Sequence, residues 1–378
     1  MATAPEDRPL PDQVDGAPHP RQTARLIGQA AAERDFLDAH ATGRMHSGWL
    51  ITGPLGVGKA TLAWRLATFL LATPAQADDG LFGAPPPPTT LDVAPDHPDA
   101  RLVQSGAHPR LFVLRRGWDD KADRLRTRIT VDEVRKLRNF FAMSATDGGR
   151  RVVIVDAADE MNVNAANAIL KLLEEPPAHA VLLLVAHQPS RLLPTIRSRC
   201  RELRCKLLAA PEMTAALDQA GIRTDAPEAL AALANGSVGE AVRLANLDGL
   251  PLYADLVRLF EGLPRLDRPA AIKLAESCAG RAADTRYALM LDLLDLFLAR
   301  TARAGLTGEP PVQGAPGEAR LLTRLSPDAR AARTWAVLAQ DVSDRTRHGR
   351  AVNLDPAALL LDTLLRIEAA AKSATAPA

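Results

Sequence analysis

Two stretches of the chain carry residue types that could handle a phosphate. In Gly53-Pro54-Leu55-Gly56-Val57-Gly58-Lys59-Ala60-Thr61, the glycines let backbone amides approach phosphate oxygens closely, and the lysine can reach the terminal phosphates. An apolar run, residues 49–52, precedes this loop and a helical run, residues 62–71, follows it. That is the strand–loop–helix setting in which a helix N-terminus adds its dipole to anion binding. Gly53, Gly56, Gly58, Lys59 and Thr61 are therefore the expected nucleotide-binding residues. The second stretch, Arg151-Val152-Val153-Ile154-Val155-Asp156, is an apolar strand closing on an aspartate that could hold magnesium, directly or through water. A simple turn residue at a strand end is the competing reading of Asp156.

Both stretches lack a part that hydrolysis needs. The residue after the lysine should offer magnesium a hydroxyl, and Ala60 has none. Thr61 is one position on, turned by about 100° around a helix, and is a poor substitute. After Asp156 comes Ala157, where a carboxylate would be needed to polarise water; a methyl group cannot act as a base. Asp159 and Glu160 lie farther along and would need a different backbone path to serve. Two readings stay open: a structural loop with an empty or weakly filled pocket, or real nucleotide binding.

The elements that must position these residues follow from the apolar pattern. Short apolar runs at 48–52, 111–114, 151–156, 180–186 and 201–206 alternate with amphipathic helical stretches, which predicts a parallel α/β sheet with strands buried on both faces. Residues 75–108 read as a long loop around the proline run 85–88. Strand signals stop near residue 209; short helices surround Gly236-Ser237-Val238-Gly239, and leucine-rich helices follow, including 287–300 and 334–341. Asp355 and Pro356 open the last helix as cap and first-turn proline. The expected plan is a disordered tail over 1–20, an α/β domain over 21–208, a small helical lid over 209–248 and a helical domain over 249–378.

Composition narrows the class. The chain has 378 residues, too many for one core, and 47% are apolar, enough for buried cores in each part. A net charge of +1 gives no general pull toward nucleic acid or anionic membrane, so any DNA contact must be local. Cys200, Cys205 and Cys278 supply neither a disulfide framework nor a zinc quartet. No apolar run is long enough to span a membrane, and the N-terminal stretch lacks a secretion pattern. A cytoplasmic protein is expected.

The run Ile169-Leu170-Lys171-Leu172-Leu173-Glu174-Glu175-Pro176-Pro177 resembles the LLKTLEEPP segment of bacterial clamp loaders, and Leu193-Pro194-Thr195-Ile196-Arg197-Ser198-Arg199-Cys200 is similar to their LPxTIxSRC run. Asn353-Leu354-Asp355-Pro356 looks like the start of their last collar helix. The resemblance implies an AAA+ type P-loop domain with a parallel sheet, a small helical lid and an all-α C-terminal collar (oligomerisation) domain. Ala60, Ala157 and Gly239, the last where motor subunits carry a nucleotide-sensing arginine in a GSxRDA-like motif, set the chain apart from the gamma/tau motors. They point to the stator-type, delta-prime branch of the family. The four cysteines that relatives often carry between the first two strands are missing, so no structural zinc or other metal is expected.

The resemblance makes Arg199 the functional centre: in the family, the arginine of this run reaches across an interface to ATP bound by the adjacent subunit. A guanidinium is permanently charged and forks onto phosphate oxygens. Thr130 and Glu133 are spaced as a capping box at the start of a basic helix carrying Arg135, Lys136 and Arg138. The family's use of such helix ends implies weak contact with the DNA backbone, against a plain solvated face as the alternative. Implied partners are the gamma/tau and delta subunits, with the sliding clamp and primed DNA reached through the assembly at the nucleoid-associated replisome. No cofactor is required, and weak ATP binding is compatible. The competing functions are an ATP-hydrolysing gamma/tau-like motor and an inert adaptor of the same assembly.

Overall fold

The computed structural model describes residues 10–14, 16–43, 45–74, 86–142, 149–279 and 284–375. Compactness divides the chain into two units, one of Met1–Gly221 with Gly236–Glu240 and one of Ile222–Asn235 with Ala241–Ala378. The segment expected as a separate lid, residues 209–248, is thus shared between them. No described helix is long and apolar enough to cross a membrane.

The first unit is built on five parallel strands, β1 (Gly48–Thr52), β2 (Leu111–Leu114), β5 (Arg151–Asp156), β6 (Ala180–Ala186) and β7 (Arg201–Arg204), in the spatial order β2-β5-β6-β1-β7. A small antiparallel pair, β3 (Trp118–Asp119) with β4 (Arg124–Leu125), follows β2; its two-residue strands are too short to leave an alternating pattern in the sequence. The unit's helices are α1 (Ala30–Ala41), α2 (Lys59–Ala72), α3 (Pro98–Ser105), α4 (Val131–Ala142), α5 (Val163–Glu174), α6 (Pro194–Arg197) and α7 (Ala210–Gln219).

Parallel strands need both faces covered, and the side chains alternate accordingly. Leu50, Val153, Val155, Leu182 and Leu184 join one cluster with Val134, Leu137 and Phe140 of α4 and Ala165 and Ile169 of α5. Trp49, the neighbour of Leu50, instead stacks with Phe36 of α1 at 4.8 Å. Helix α2 is apolar nearly all round and buries ten of its fourteen residues, as an interior helix must.

Two expectations for this unit need correction. Helix α3 lies inside the stretch read as a long loop; it starts on Pro98 behind His97, whose side chain accepts from Asp99 N at 3.2 Å, and stops at Gly106. Of the proline run only Pro86–Pro88 are described, with Pro85 outside. The described part of the expected disordered tail is also bound. Asp12 is 1% exposed and lies 2.8 Å from Arg115 and 3.2 Å from His19. Those two ionic partners, scattered over a hundred residues, leave no local pattern.

The second unit holds α8 (Pro227–Ala234), most of α9 (Val238–Asn246), α10 (Gly249–Glu261), α11 (Arg268–Glu276), α12 (Asp284–Thr307), α13 (Glu318–Leu325), α14 (Ala329–Ala351) and α15 (Pro356–Thr375). Its core stacks Phe260 on Phe297 at 4.7 Å and buries Trp335, whose indole donates to Leu325 O at 2.8 Å. Asp355 caps α15 by accepting from Ala358 N at 2.8 Å. Glu318, fully buried, accepts from Tyr253 Oη at 2.5 Å, from Arg300 at 2.6 and 3.0 Å, and from Gly314 N at 2.5 Å. A buried carboxylate is tolerable when its lone pairs are met in this way.

Candidate nucleotide site and arginine corner

Parallel pairing places the ends of β1, β5 and β6 on one edge of the sheet, because Thr52 lies beside Ala186 and Asp156 beside Val185. Ligands of open α/β sheets bind at this carboxyl edge. The loop 53–58 leaves β1 here and enters α2. The sequence-predicted residues Gly53, Gly56, Gly58, Lys59 and Asp156 are brought together. Thr61 lies among the buried residues of α2, and Ala60 leaves the expected hydroxyl position as a methyl.

Lys59 is 2% exposed. Its ammonium donates to Gly53 O at 2.8 Å and also to Pro54 O, so two of its three donors are spent on its own loop. Burial pulls its pKa down to about 8, with Cys205, Asp156 and Asp159 opposing. Asp156 is also buried, and desolvation, reinforced by the Asp12 and Glu160 carboxylates, pushes it up to about 7 against the attraction of Lys59. A magnesium ligand must be ionised, and this carboxyl holds its proton toward neutrality. The pKa of Asp12 itself is lowered: burial raises it, but the close approach of His19 and the Arg115 charge outweigh that.

Neither acid beyond Ala157 replaces the missing base. Asp159 accepts from the backbone amides of His187 and Gln188 at 3.1 and 2.9 Å, and Glu160 pairs with Arg116 at 2.9 Å. The turn Gly236–Gly239 closes the loop from its other side. Ser237 Oγ donates to Leu55 O at 2.9 Å, and Gly239 N donates to Gly56 O at 2.9 Å. A Cβ on Gly239 would stand 2.9 Å from Gly56 Cα, and one on Gly56 would stand 2.3 Å from Ser237 Oγ. An arginine at 239 cannot occupy this arrangement. The residues present therefore do not fit a hydrolysing magnesium–nucleotide site.

His187 is a site residue that sequence reasoning missed. It follows β6 at the carboxyl edge, and burial together with Lys59 brings its pKa down to about 4, so the ring is neutral at pH 7. Its position directly after an apolar strand flanked by β1 and β5 was the available signal.

Arg199 occupies a different corner. It follows α6, before β7, and its side chain is 39% exposed. One amino group donates to Thr195 O at 3.1 Å and approaches Ser198 Oγ at 3.4 Å; the other lies 2.9 Å from Glu174 Oε1 at the end of α5. The α4 group differs from expectation. Thr130 Oγ1 is buried without a hydrogen-bond partner among the described residues, and Glu133 pairs with Lys136 at 2.6 Å instead of reaching back, so no capping box forms. Arg135 pairs with Asp132 at 2.7 Å, while Arg138 is exposed. Among the described residues no group of three or more His, Cys, Asp or Glu could hold a metal ion.

A glycine-bracketed loop at the carboxyl edge of a five-stranded parallel sheet, followed by helical modules, defines a P-loop AAA+ type protein. The family model described as DNA polymerase III, delta subunit, matches residues 28–209. DNA polymerase III subunit delta′ of Pseudomonas aeruginosa is 39% identical over 61% of this chain, which spans 64% of that protein's length. The Escherichia coli K12 subunit delta′ is 29% identical over 87% of this chain and 91% of its own. A solved DNA polymerase III gamma subunit-related protein from Thermotoga maritima aligns with 89% of the chain and 100% of its own at 18% identity and a TM-score of 0.42. Over these spans the chain is similar to the delta-prime subunits of DNA polymerase III.

Proposed function

We propose that this chain is a stator-type, non-hydrolysing subunit of a DNA polymerase III clamp loader, and that Arg199 serves ATP bound by an adjacent gamma/tau-type subunit. One observation carries the reading: Lys59 is turned onto its own loop carbonyls beside a desolvated Asp156, while the Arg199 guanidinium stands partly open to solvent. A permanent cation at a domain edge can meet a triphosphate on a neighbour; a buried, self-bonded lysine cannot meet its own without rearranging. The names of the relatives support a DNA polymerase III assembly; gamma/tau and delta subunits as partners, and the sliding clamp and primed DNA as its objects, belong to this proposal. DNA contact through Thr130, Arg135, Lys136 and Arg138 belongs to this proposal, with Arg138 the member that has no acidic neighbour one turn away in sequence. No metal or tightly bound nucleotide is required; weak ATP binding at the loop is compatible.

The test is ATP turnover by the purified chain, expected at background, followed by Arg199→Ala in the reconstituted loader. Turnover at a motor's pace by the chain alone would favour the gamma/tau-like reading. DNA-stimulated turnover unchanged by Arg199→Ala would leave an inert adaptor.

A further inference from the structure

Helix α5 ends against a local rule. Its last residue is Glu174 and its C-cap is Glu175, two carboxylates at the end where the helix dipole favours cations. Leu173, one position earlier, is buried and anchors this end in the core, so Glu174 projects from a fixed point. A residue that breaks a local preference on a well-packed element is expected to be compensated elsewhere. The compensation here is Arg199, 2.9 Å away and twenty-five positions on in the chain.

We propose that Glu174 is a positioning residue for Arg199, holding the guanidinium extended at the corner between α5 and α6 in readiness for a neighbour's phosphate; this rests on the reading of Arg199 above. A long arginine side chain loses rotamer freedom when it engages a ligand. Three groups of its own chain restrict that freedom beforehand: Glu174, Thr195 O and Ser198 Oγ. Both members of the pair are about two-fifths exposed, at 39% and 41%. The carboxylate's hold is therefore softened by water, and the more highly charged triphosphate displaces it as the interface closes. Glu175 carries the same charge at the same helix end and is exposed, which makes it the matched control.

The experiment measures DNA-stimulated ATP turnover of the reconstituted loader, with assembly checked by gel filtration. Glu174→Gln is expected to lower kcat about three- to tenfold, as a modest misplacement of a catalytic group does, with KM for ATP unchanged. Glu175→Gln should match the wild type, and Glu174→Asp should recover most of the loss. Added to Arg199→Ala, Glu174→Gln should cause no further loss. If Arg199→Ala abolishes stimulation while Glu174→Gln behaves like Glu175→Gln, the positioning role is overturned and the reading of Arg199 stands. An equal Glu174→Gln loss in the Arg199→Ala background would also overturn it, because the effect would then run through the fold. If Arg199→Ala itself is silent, the reading of Arg199 falls and the role of Glu174 falls with it.

Discussion

The loop pocket and the arginine corner lie in one α/β unit and treat charge in opposite ways. In the pocket, Lys59, Asp156 and His187 are desolvated, and each is driven toward its neutral form. At the corner, Arg199 keeps solvent contact and a carboxylate neighbour. Under the proposed function, this difference means that a nucleotide-binding architecture persists as a scaffold with its charges turned inward, and that function moves to a side chain displayed at its edge.

Breaking the corner should give the largest effect. Arg199→Ala in the reconstituted loader is expected to lower turnover at the site it serves by about 10³-fold or more. Arg199→Lys should recover only a small part, since a point charge does not reproduce the planar fork. Steady-state ATPase assays with and without primed DNA measure both.

A second contrast lies in the helical unit, where the buried charge of Glu318 has four donors around it. Glu318→Ala leaves the largely buried Arg300, its side chain 12% exposed, without its carboxylate and should cost about 3–5 kcal/mol, read as an early unfolding transition by calorimetry. Lys59→Ala removes a donor from two loop carbonyls that water can reach in its place, and should cost less. If the two losses were equal, the pocket would be as tightly specified as the helical core, and the comparison would weaken.

Much of the scaffold was legible because its signals are local. Four of the five sheet strands match the expected bounds residue for residue, since parallel strands read as continuous apolar runs, whether almost wholly buried as β1, β5 and β6 are or half-buried like β2. The fifth ends at Arg204 instead of residue 206. Lys59 and Asp156 were found from their spacing to strand ends. Asp12, His187 and Glu174 were not, because each matters through a partner distant in sequence: Arg115, Lys59 and Arg199. Helix α3 escaped because its eight residues bury only Val103 and carry no apolar stripe. The capping box at Thr130 was legible and still failed, because Glu133 found a stronger partner in Lys136.

The pocket's inward charges make stability depend on pH. Asp156 moves from an ordinary 3.8 to about 7 in the folded chain. The folded state therefore holds this proton where the unfolded state has lost it, and stability falls as pH rises from about 4 through 7. Asp156→Asn removes the group, so the variant should match the wild type near pH 4 and exceed it by about 4 kcal/mol at pH 8. Urea unfolding at the two pH values measures the difference. A gain that did not grow with pH would place Asp156 among the solvated carboxylates and erase its contrast with the corner.

The smallest effect tests what closes the pocket. Asp12 is buried, ionised and close enough to Asp156 to raise its pKa. A Cβ on Gly239 would lie 3.6 Å from Val14, so residues 10–14 pass beside the loop. A carboxylate there repels a phosphate and also occupies Arg115 at 2.8 Å. Asp12→Ala should therefore raise affinity for a fluorescent ATP analogue about five- to tenfold, the worth of one unit charge at close range in a wet site. Turnover should stay at background, because Ala60 and Ala157 still lack the hydroxyl and the base. Unchanged affinity would mean that the self-bonded Lys59 alone keeps phosphate out. The inward turn of charge would then belong to the loop itself, with no share from the segment beside it.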